Sequence, residues 1–125
     1  MTHSVTYDPD ADVVVLAVRG EVTLGVIRLF VDEIALLARQ QDCYRVLSDF
    51  RDATLALSTF EIYELPRIIR ERGASFGVRA SRFKRALAVV PGSGDFSFFE
   101  TVSRNQGQSV SLFRDIDEAK KWLIE

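Results

Sequence analysis

The segment YRVLSDF, residues 44–50, constrains the fold more than any other part of the chain. Its apolar residues run almost continuously instead of alternating with polar ones; they are Tyr44, Val46, Leu47 and Phe50. A strand that is buried on one face alternates, so a nearly continuous apolar run predicts a strand covered on both faces. Because such strands belong mainly to parallel sheets flanked by helices, the segment predicts an α/β fold.

The order of the other segments extends this prediction to the whole chain. SVTYDPDADVVVLAVRG, residues 4–20, predicts an antiparallel hairpin whose turn contains Pro9 and Asp10. RALAVV, residues 85–90, and SVSLFR, residues 109–114, predict two further strands. Four segments with helical periodicity are predicted to begin at the following caps: Thr23, Ser58, Asp95 or Ser97, and Asp115. The order β-β-α-β-α-β-α-β-α predicts a mixed, largely parallel sheet with an N-terminal antiparallel hairpin and about four helices.

Length and composition limit the class of protein. With 125 residues, of which 47% are hydrophobic and 27% charged, the chain predicts a single globular domain over residues 1–125. The single cysteine, Cys43, predicts no disulfide framework and fits a reducing compartment. Neither a signal peptide nor a membrane-spanning segment is predicted. The net charge of −2 argues against a polycation that binds nucleic acid.

Two of the predicted helices contain irregular features. Pro66 lies too deep in the second helix for a first-turn proline, so it predicts a kink or a new segment, and Gly73 predicts the end of that helix. In the third helix, Phe96, Phe98 and Phe99 cannot all face one core. We therefore expect Phe96 or Phe98 to be exposed, or to line a pocket or a subunit contact.

The element order and two stretches resemble the STAS-like domains, a family named after sulfate transporters and anti-sigma-factor antagonists. The stretches are VLSDFRDATLALSTFE, residues 46–61, and GQSVSLFRDIDEAKKWL, residues 107–123. The sequence is most similar to the sporulation-antagonist-like branch, whose members are small stand-alone bacterial proteins. We expect a cytoplasmic protein that needs no cofactor, and the resemblance implies that it binds another protein.

The resemblance also implies a regulatory serine. In anti-sigma-factor antagonists, a kinase partner phosphorylates a serine at the helix start that follows this strand. Aligning Asp49 with the strand-end aspartate of the family places Ser58 on the phosphoacceptor and Thr59 beside it. The sequence departs from the family at both neighbours, because Leu57 stands in place of an aspartate and Phe60 in place of a glycine.

The residues around Ser58 offer a simpler role for its hydroxyl. Ser58 and Glu61 have the spacing of a capping box, and Leu57 and Ile62 have that of a hydrophobic staple. A phosphate on Ser58 would suit a helix N-terminus, but the Glu61 carboxylate would repel it. The capping signature therefore favours an N-cap over a phosphorylation switch.

Charged residues near the strand ends are candidates for a binding rim. Asp49 and Asp52 could hold a cation, but a turn in which Asp49 binds its own backbone and Arg51 is the favoured interpretation. PGSGD, residues 91–95, lacks the lysine and spacing of a phosphate-binding loop and predicts a turn. No metal site is predicted.

A basic stretch follows the second helix. It contains seven cations against Glu71 alone: Arg67, Arg70, Arg72, Arg79, Arg82, Lys84 and Arg85. Arginines beside Phe76 and Phe83 could bind phosphate or stack on bases, although a solvated loop is the favoured interpretation. We assign Arg79, Arg82 and Lys84 to the same rim as Asp49 and Asp52.

Three functions are compatible with these features. The preferred one is a non-enzymatic STAS-like module that engages a protein partner or a small ligand at the C-terminal edge of the sheet. The alternative is a carrier of an apolar or acyl ligand in a phenylalanine-lined pocket. A hydrolase or phosphotransfer enzyme has less support, because the only histidine, His3, lies near the chain start and Cys43 precedes a buried strand. A homodimer is compatible with the fold, but the sequence does not specify one.

Overall fold

The computed structural model describes all 125 residues, and its elements follow the predicted order. The strands are β1 (Thr2–Asp8), β2 (Val13–Val22), β3 (Arg45–Leu55), β4 (Lys84–Ala88) and β5 (Ser109–Phe113). The helices are α1 (Leu24–Gln41), α2 (Thr59–Ser75), α3 (Gly94–Asn105) and α4 (Ile116–Leu123), with a short 3-10 helix at Ala80–Arg82. No helix combines the length and the apolar composition that a membrane crossing requires.

The five strands form one sheet in the order β1-β2-β3-β4-β5. β1 pairs with β2 in antiparallel orientation, and each later strand is parallel to its predecessor. The predicted hairpin and the predicted parallel strands are therefore confirmed. Each new strand is added on the same side of the last, so the order never reverses along the sheet.

The helices cover both faces of the sheet, but unequally. The main core lies between one face and helices α1, α2 and α3, which contribute Ile27, Phe30, Ile62, Leu65, Phe96 and Phe99. Helix α4 covers the opposite face, where Ala119 and Leu123 join a smaller cluster with Val13, Leu47 and Ala86. Burial on both faces explains why the central strands lack a simple apolar-polar alternation.

Strand β3 is longer than the sequence predicts. The expected strand ends at residue 50 and is followed by a loop, whereas β3 continues to Leu55 beside the end of β2. Ala17 pairs with Asp49 and Arg19 pairs with Asp52, so β3 has one residue more than β2 between these pairs. This β-bulge turns the later side chains to the other face, so that Leu55 reaches the same core as Phe50.

The end of α2 also differs from its prediction. The helix passes through Pro66 without dividing and through Gly73 without ending. It closes instead at Gly77, whose φ is +75°, with the N–H of Val78 donating to the Gly73 carbonyl at 3.0 Å. A side chain at residue 73 would lie 3.1 Å from the Val78 carbonyl oxygen, so glycine there permits a close approach of the returning chain.

Helix α3 starts earlier than predicted, and the prediction that Asp95 or Ser97 caps it is wrong. The helix begins at Gly94, so Asp95 and Ser97 lie inside its first turn. Ser93 precedes the helix, and its hydroxyl donates to the Val90 carbonyl at 2.9 Å instead of capping. Asp95 remains favourable there, because a carboxylate in the first turn complements the positive end of the helix dipole.

Candidate functional site

The C-terminal edge of the parallel strands is the first candidate site. In doubly wound sheets, ligands bind at this edge where the strand order reverses, but the present order has no reversal and no crevice of that kind. β2 and β3 also project beyond β4, which ends at Ala88. The edge therefore presents a surface made of the start of α2, the β4–α3 loop and the β5–α4 corner.

Ser58 lies at this edge as the N-cap of α2. Its Oγ accepts a hydrogen bond from the Glu61 backbone N–H at 3.1 Å, and its own N–H donates to Glu61 Oε1 at 2.9 Å. Both hydrogen bonds of the predicted capping box are therefore present. Leu57 and Ile62 also join the same core, as expected for a staple. Thr59, the first residue of the helix, is exposed.

Asp49 and Asp52 lie inside β3 at the bulge and not beyond the end of the strand. Both Asp49 oxygens accept from the Arg51 guanidinium, at 3.0 and 2.9 Å, and Asp49 Oδ1 also accepts the Arg51 N–H at 3.1 Å. Hydrogen bonding to Arg51 lowers the pKa of Asp49. Asp52 is exposed, and its nearest cation is Arg19 at 4.0 Å. Asp49 is therefore committed to an ion pair within the strand.

Two exposed aromatic side chains flank the capped start of α2. Phe60 is 69% exposed and Tyr63 is 54% exposed, which is unusual for residues of their size. They are three residues apart on one helix, so they share a face. Tyr63 was not singled out from the sequence; its three-residue spacing from Phe60, outside the Ile62–Leu65 core stripe, is the signal that identifies it.

A shallow groove separates the two loops at the same edge. Its volume is about 270 Å³, and its lining includes Val90, Pro91, Ser93, Ser97, Arg114 and Glu118. Pro91 and Gly92 form the turn predicted for PGSGD, with Gly92 at a φ of +86°. The groove contains one cation, Arg114, and one carboxylate, Glu118, so it is neither basic nor acidic as a whole.

The structure separates the predicted binding rim into two parts. Asp49, Asp52 and Ser58 lie toward the C-terminal ends of the strands, but Arg79 and Arg82 precede β4 and Lys84 begins it. Residues at the start of a parallel strand lie at the opposite edge of the sheet from residues at its end. The assignment of these three cations to one rim with Asp49 was therefore wrong. All three cations precede RALAVV in the sequence, which indicates that they lie at the start of that strand and not at its end.

The cations at the opposite edge have separate structural roles. Lys84 Nζ donates to the Trp122 carbonyl and lies 4.4 Å from the centre of the Trp122 ring, so it holds the C-terminus of α4. Arg82 lies 3.4 Å from Asp42 and stacks over the Tyr44 ring at 3.9 Å. Arg79 is in none of the ion pairs and borders an open groove.

The basic stretch does not form one charged face. Arg67 pairs with Glu64 and Glu71, and Arg72 pairs with Asp32. The two aromatic residues of the stretch are part of the protein interior, since Phe83 is buried and Phe76 packs beside it. The cations of the stretch that are in no ion pair are Arg70, Arg79, Lys84 and Arg85, and Lys84 donates to backbone oxygens instead.

An internal apolar cavity lies between the sheet and helices α1, α2 and α3. Its volume is about 80 Å³, and thirteen of its fifteen lining residues are hydrophobic; they include Phe30, Phe50, Phe96 and Phe99. We call it the apolar cavity. The only polar lining residues are Ser48 and Arg85. Of the alternatives predicted for Phe96 and Phe98, the lining of a pocket applies to Phe96, which is buried, while Phe98 is half-buried against the same core.

A smaller cavity of about 50 Å³ adjoins the apolar cavity, and we call it the side cavity. The two share the lining residues Val31, Ile34, Ile69 and Arg85. Arg85 thus lies at their junction. In the sequence, Arg85 stands out from the rest of the basic stretch only because it is the first residue of the otherwise apolar segment RALAVV.

The remaining reactive side chains lie away from the start of α2. His3, on the edge strand β1, contacts Glu33 at 2.9 Å and the Phe30 ring. Cys43 is buried, and desolvation raises the pKa of its thiol. No group of three or more His, Cys, Asp and Glu side chains is arranged to hold a metal ion.

Comparison with known proteins identifies the fold. No family model matches the sequence, and no curated protein is similar to it. Among solved structures, the chain is similar to an uncharacterized protein of the DUF3478 family with a SpoIIAA-like fold, from Shewanella loihica PV-4. The two are 17% identical with a TM-score of 0.55, and the match covers 98% of this chain and 92% of the other. The chain therefore has a SpoIIAA-like, STAS-like α/β fold.

Proposed function

We propose that the protein is a non-enzymatic regulatory module that binds a partner protein at the start of α2. The observation that carries this proposal is the exposure of Phe60 and Tyr63, which together present an aromatic face beside the capped helix start. Aromatic side chains supply much of the binding energy at protein interfaces, and large exposed ones on a monomer mark such surfaces.

The rigidity of this surface supports the proposal. The capping box holds the first turn of α2, and Ile62 and Leu65 anchor the opposite face of the helix in the core. Phe60 and Tyr63 are therefore presented on a fixed backbone, which lowers the entropic cost of binding. Ser58 and Thr59 border the same surface. In the resembling family a glycine stands at the position of Phe60 and lets the partner approach the helix start closely. Because Phe60 is bulky, we expect the partner of this protein to hold its side chain in an apolar pocket.

The absence of an assembled catalytic group supports a non-enzymatic role. Ser58 is engaged in the capping box, His3 contacts Glu33 on the edge strand, and Asp49 is bound by Arg51. None of these pairs is a nucleophile held by a base. A cytoplasmic location belongs to the same proposal and is supported by the free thiol of Cys43.

Site-specific photocrosslinking in the cells that naturally make the protein tests this function. A photoreactive phenylalanine analogue placed at residue 60 or 63 should crosslink to one partner protein. The matched control is residue 124, since Ile124 is 68% exposed but lies at the end of α4. With the partner identified, Phe60→Ala should weaken binding by about 30-fold, as for an interface hot spot.

Two results would contradict the proposal. Crosslinking from residues 60 and 63 that is no stronger than from residue 124 would show that the aromatic face is not an interface. Crosslinks exclusively between two copies of the chain would assign the face to a homodimer.

The apolar cavity favours a second candidate function, the binding of a small apolar ligand. Its lining is phenylalanine and aliphatic side chains apart from Ser48 and Arg85, so a polar group of a ligand would find hydrogen-bond partners only at those two residues. An engineered cavity of about 150 Å³ binds benzene, so the present volume admits a group of about three carbon atoms. A long acyl chain is too large for this cavity.

A further inference from the structure

Arg85 is the only charged residue that lines the apolar cavity and the side cavity. It lies in β4, between Val46 of β3 and Val110 of β5, so its side chain leaves the middle of the sheet. Arg85 is half-buried: its side chain lines both cavities and keeps a fraction of its solvent exposure. Desolvation lowers the pKa of Arg85 to about 10.

No carboxylate compensates this buried charge. Desolvation is the only influence on the pKa of Arg85, so no acidic side chain lies close enough to act on it. Arg72, by contrast, is paired with the Asp32 carboxylate. A buried ion without a counter-ion destabilises a fold, and such groups are found where a ligand supplies the opposite charge.

Most of the hydrogen-bonding capacity of Arg85 is also unused. Its Nη2 donates to Gln108 Oε1, and the Phe99 ring lies 5.9 Å from its central carbon. A guanidinium carries five N–H donors, so four are without a protein acceptor. Gln108 is itself fixed, because its Nε2 donates to the Pro66 carbonyl at 2.8 Å. The amide therefore orients the guanidinium and leaves its other donors to a ligand.

We propose that Arg85 binds the carboxylate of a short-chain apolar carboxylic acid, whose hydrocarbon tail of about three carbon atoms occupies the apolar cavity. The carboxylate supplies one negative charge to one buried cation, and its two oxygens match the planar guanidinium. The side cavity is otherwise lined by apolar residues and glycine, so it offers no second cation for a phosphate or sulfate dianion. This inference is independent of partner binding at α2 and deepens the second candidate function.

A basic groove outside the cavities provides the approach for an anion. It has a volume of about 410 Å³ and is lined by Arg70 and Arg79, with Gln106 and Gln108 beside them. Neither arginine is in an ion pair, so both contribute positive potential that attracts anions. Gln108 borders this groove and binds Arg85, and therefore stands between the groove and the cavities.

Calorimetric titration of the purified chain with a series of acids tests the proposal. The probes are acetate, butyrate, isovalerate, hexanoate and decanoate, each compared with the alcohol of the same tail, and inorganic phosphate. Butyrate and isovalerate should bind best, because acetate leaves the cavity empty and decanoate exceeds its volume. Butyrate should bind about 10-fold or more tightly than butanol, the factor expected for hydrogen bonds to a charged group. Phosphate should not displace butyrate.

Three variants connect the binding to the cavities. Arg85→Gln should weaken butyrate binding about 10-fold or more while leaving butanol binding unchanged. Arg82→Gln is the matched control, since Arg82 pairs with Asp42 outside both cavities, and it should bind butyrate like the natural sequence. Val31→Ile adds one methyl group to a residue that lines both cavities, so it should shorten the best tail by about one carbon.

The outcomes distinguish the role of Arg85 in binding a carboxylate from the role of the apolar cavity in binding a hydrocarbon tail. Acids and alcohols that bind equally well would overturn the role of Arg85 and keep the cavity as an apolar site. No binding of any acid or alcohol would overturn both. Binding that survives Arg85→Gln, or a best tail that Val31→Ile does not change, would place the ligand elsewhere. Because the acid series uses the unaltered chain, the proposal stays open to refutation even if Arg85→Gln fails to fold.

Discussion

At the scale of single residues, the distribution of charge partners distinguishes structural groups from candidate binding groups. Asp49 and Arg72 are each held by an opposite charge through two hydrogen bonds. Arg85 has only a neutral amide as its hydrogen-bond partner, although it is half-buried like the other two and lines two cavities. Proteins tolerate such uncompensated groups at functional sites at a cost in stability.

Replacement of Arg85 by methionine should therefore not destabilise the fold. Lowering the pKa from 12.5 to about 10 corresponds to a burial cost of about 3 kcal/mol at neutral pH, of which the lost Gln108 hydrogen bond offsets about 2 kcal/mol. We expect Arg85→Met to equal the natural protein or exceed it by about 1 kcal/mol in the free energy of unfolding, measured with urea. A loss of more than about 2 kcal/mol would show that Arg85 stabilises the core. Arg82→Met, at the surface, is the control.

Asp49 should contribute to the acid sensitivity of the protein. Its folded-state pKa lies below that of the unfolded chain because Arg51 binds its carboxylate. Its stabilisation is therefore complete above the unfolded pKa of about 4 and is lost as the pH falls through the folded value. Asp49→Asn should lower the free energy of unfolding at pH 7 by about 0.5 kcal/mol, because solvent screens the ion pair. Below pH 4, the free energy of unfolding of this variant should fall less steeply than that of the natural protein.

Asp52→Asn is the matched control for this measurement. Asp52 is close in sequence to Asp49, but it lies 4.0 Å from Arg19 with both side chains more than 70% exposed. Its substitution should leave the free energy of unfolding at pH 7 unchanged, because an ion pair this exposed contributes little. Equal effects of the two substitutions, measured by urea unfolding across the pH range, would refute a specific role of the Asp49–Arg51 pair.

At the scale of elements, the start of α2 combines a stable cap with an exposed face. The capping box and the core residues Ile62 and Leu65 fix the helix, while Phe60 and Tyr63 remain exposed to solvent. Local hydrogen bonding and tertiary packing thus determine the position of the helix, and neither uses the aromatic pair. A face that the fold does not need is available for recognition.

Substitutions at Ser58 should show how much the capping box contributes to stability. Ser58→Ala removes the acceptor for the Glu61 N–H and should lower the free energy of unfolding by about 1 kcal/mol. Ser58→Asp keeps a good N-cap and should remain within about 0.5 kcal/mol of the natural protein. Thermal unfolding followed by circular dichroism measures both. If Ser58→Ala has no effect on stability, the capping box does not hold the helix start.

At the scale of the whole molecule, one sheet connects the two cores. Val13, Leu47 and Ala86 pack under α4, and neighbouring residues of the same strands pack under α1, α2 and α3. Lys84 further ties the start of β4 to the C-terminus of α4. Neither layer of helices can be lost without exposing one face of the central strands to water.

We therefore expect residues 1–125 to unfold as one cooperative unit. Trp122, the only tryptophan, reports on α4 through its contact with Phe113, while far-ultraviolet circular dichroism reports on all helices. Urea transitions from the two signals should coincide. Leu123→Ala should shift both together by about 2–4 kcal/mol, because Leu123 is buried against the sheet. A fluorescence transition that precedes the other would identify α4 as a separately unfolding element.

The local chemistry of the sequence was sufficient for the element order and for most of the helix starts. Thr23, Ser58 and Asp115 cap their helices as predicted, because an N-cap depends on residues within one helical turn. The near-continuous apolar run before Phe50 likewise indicated a strand buried on both faces, since helices on each side of the sheet cover it.

The tertiary structure alone decided which distant residues meet. The bulge that extends β3 to Leu55 depends on pairing with β2, and the separation of Lys84 from Asp49 depends on where each lies along parallel strands. The partial burial of Arg85 beside Gln108, without a carboxylate, arises where three strands and three helices come together. Periodicity and capping act between residues close in the chain, whereas cavities and uncompensated charges result from contacts between residues far apart in it.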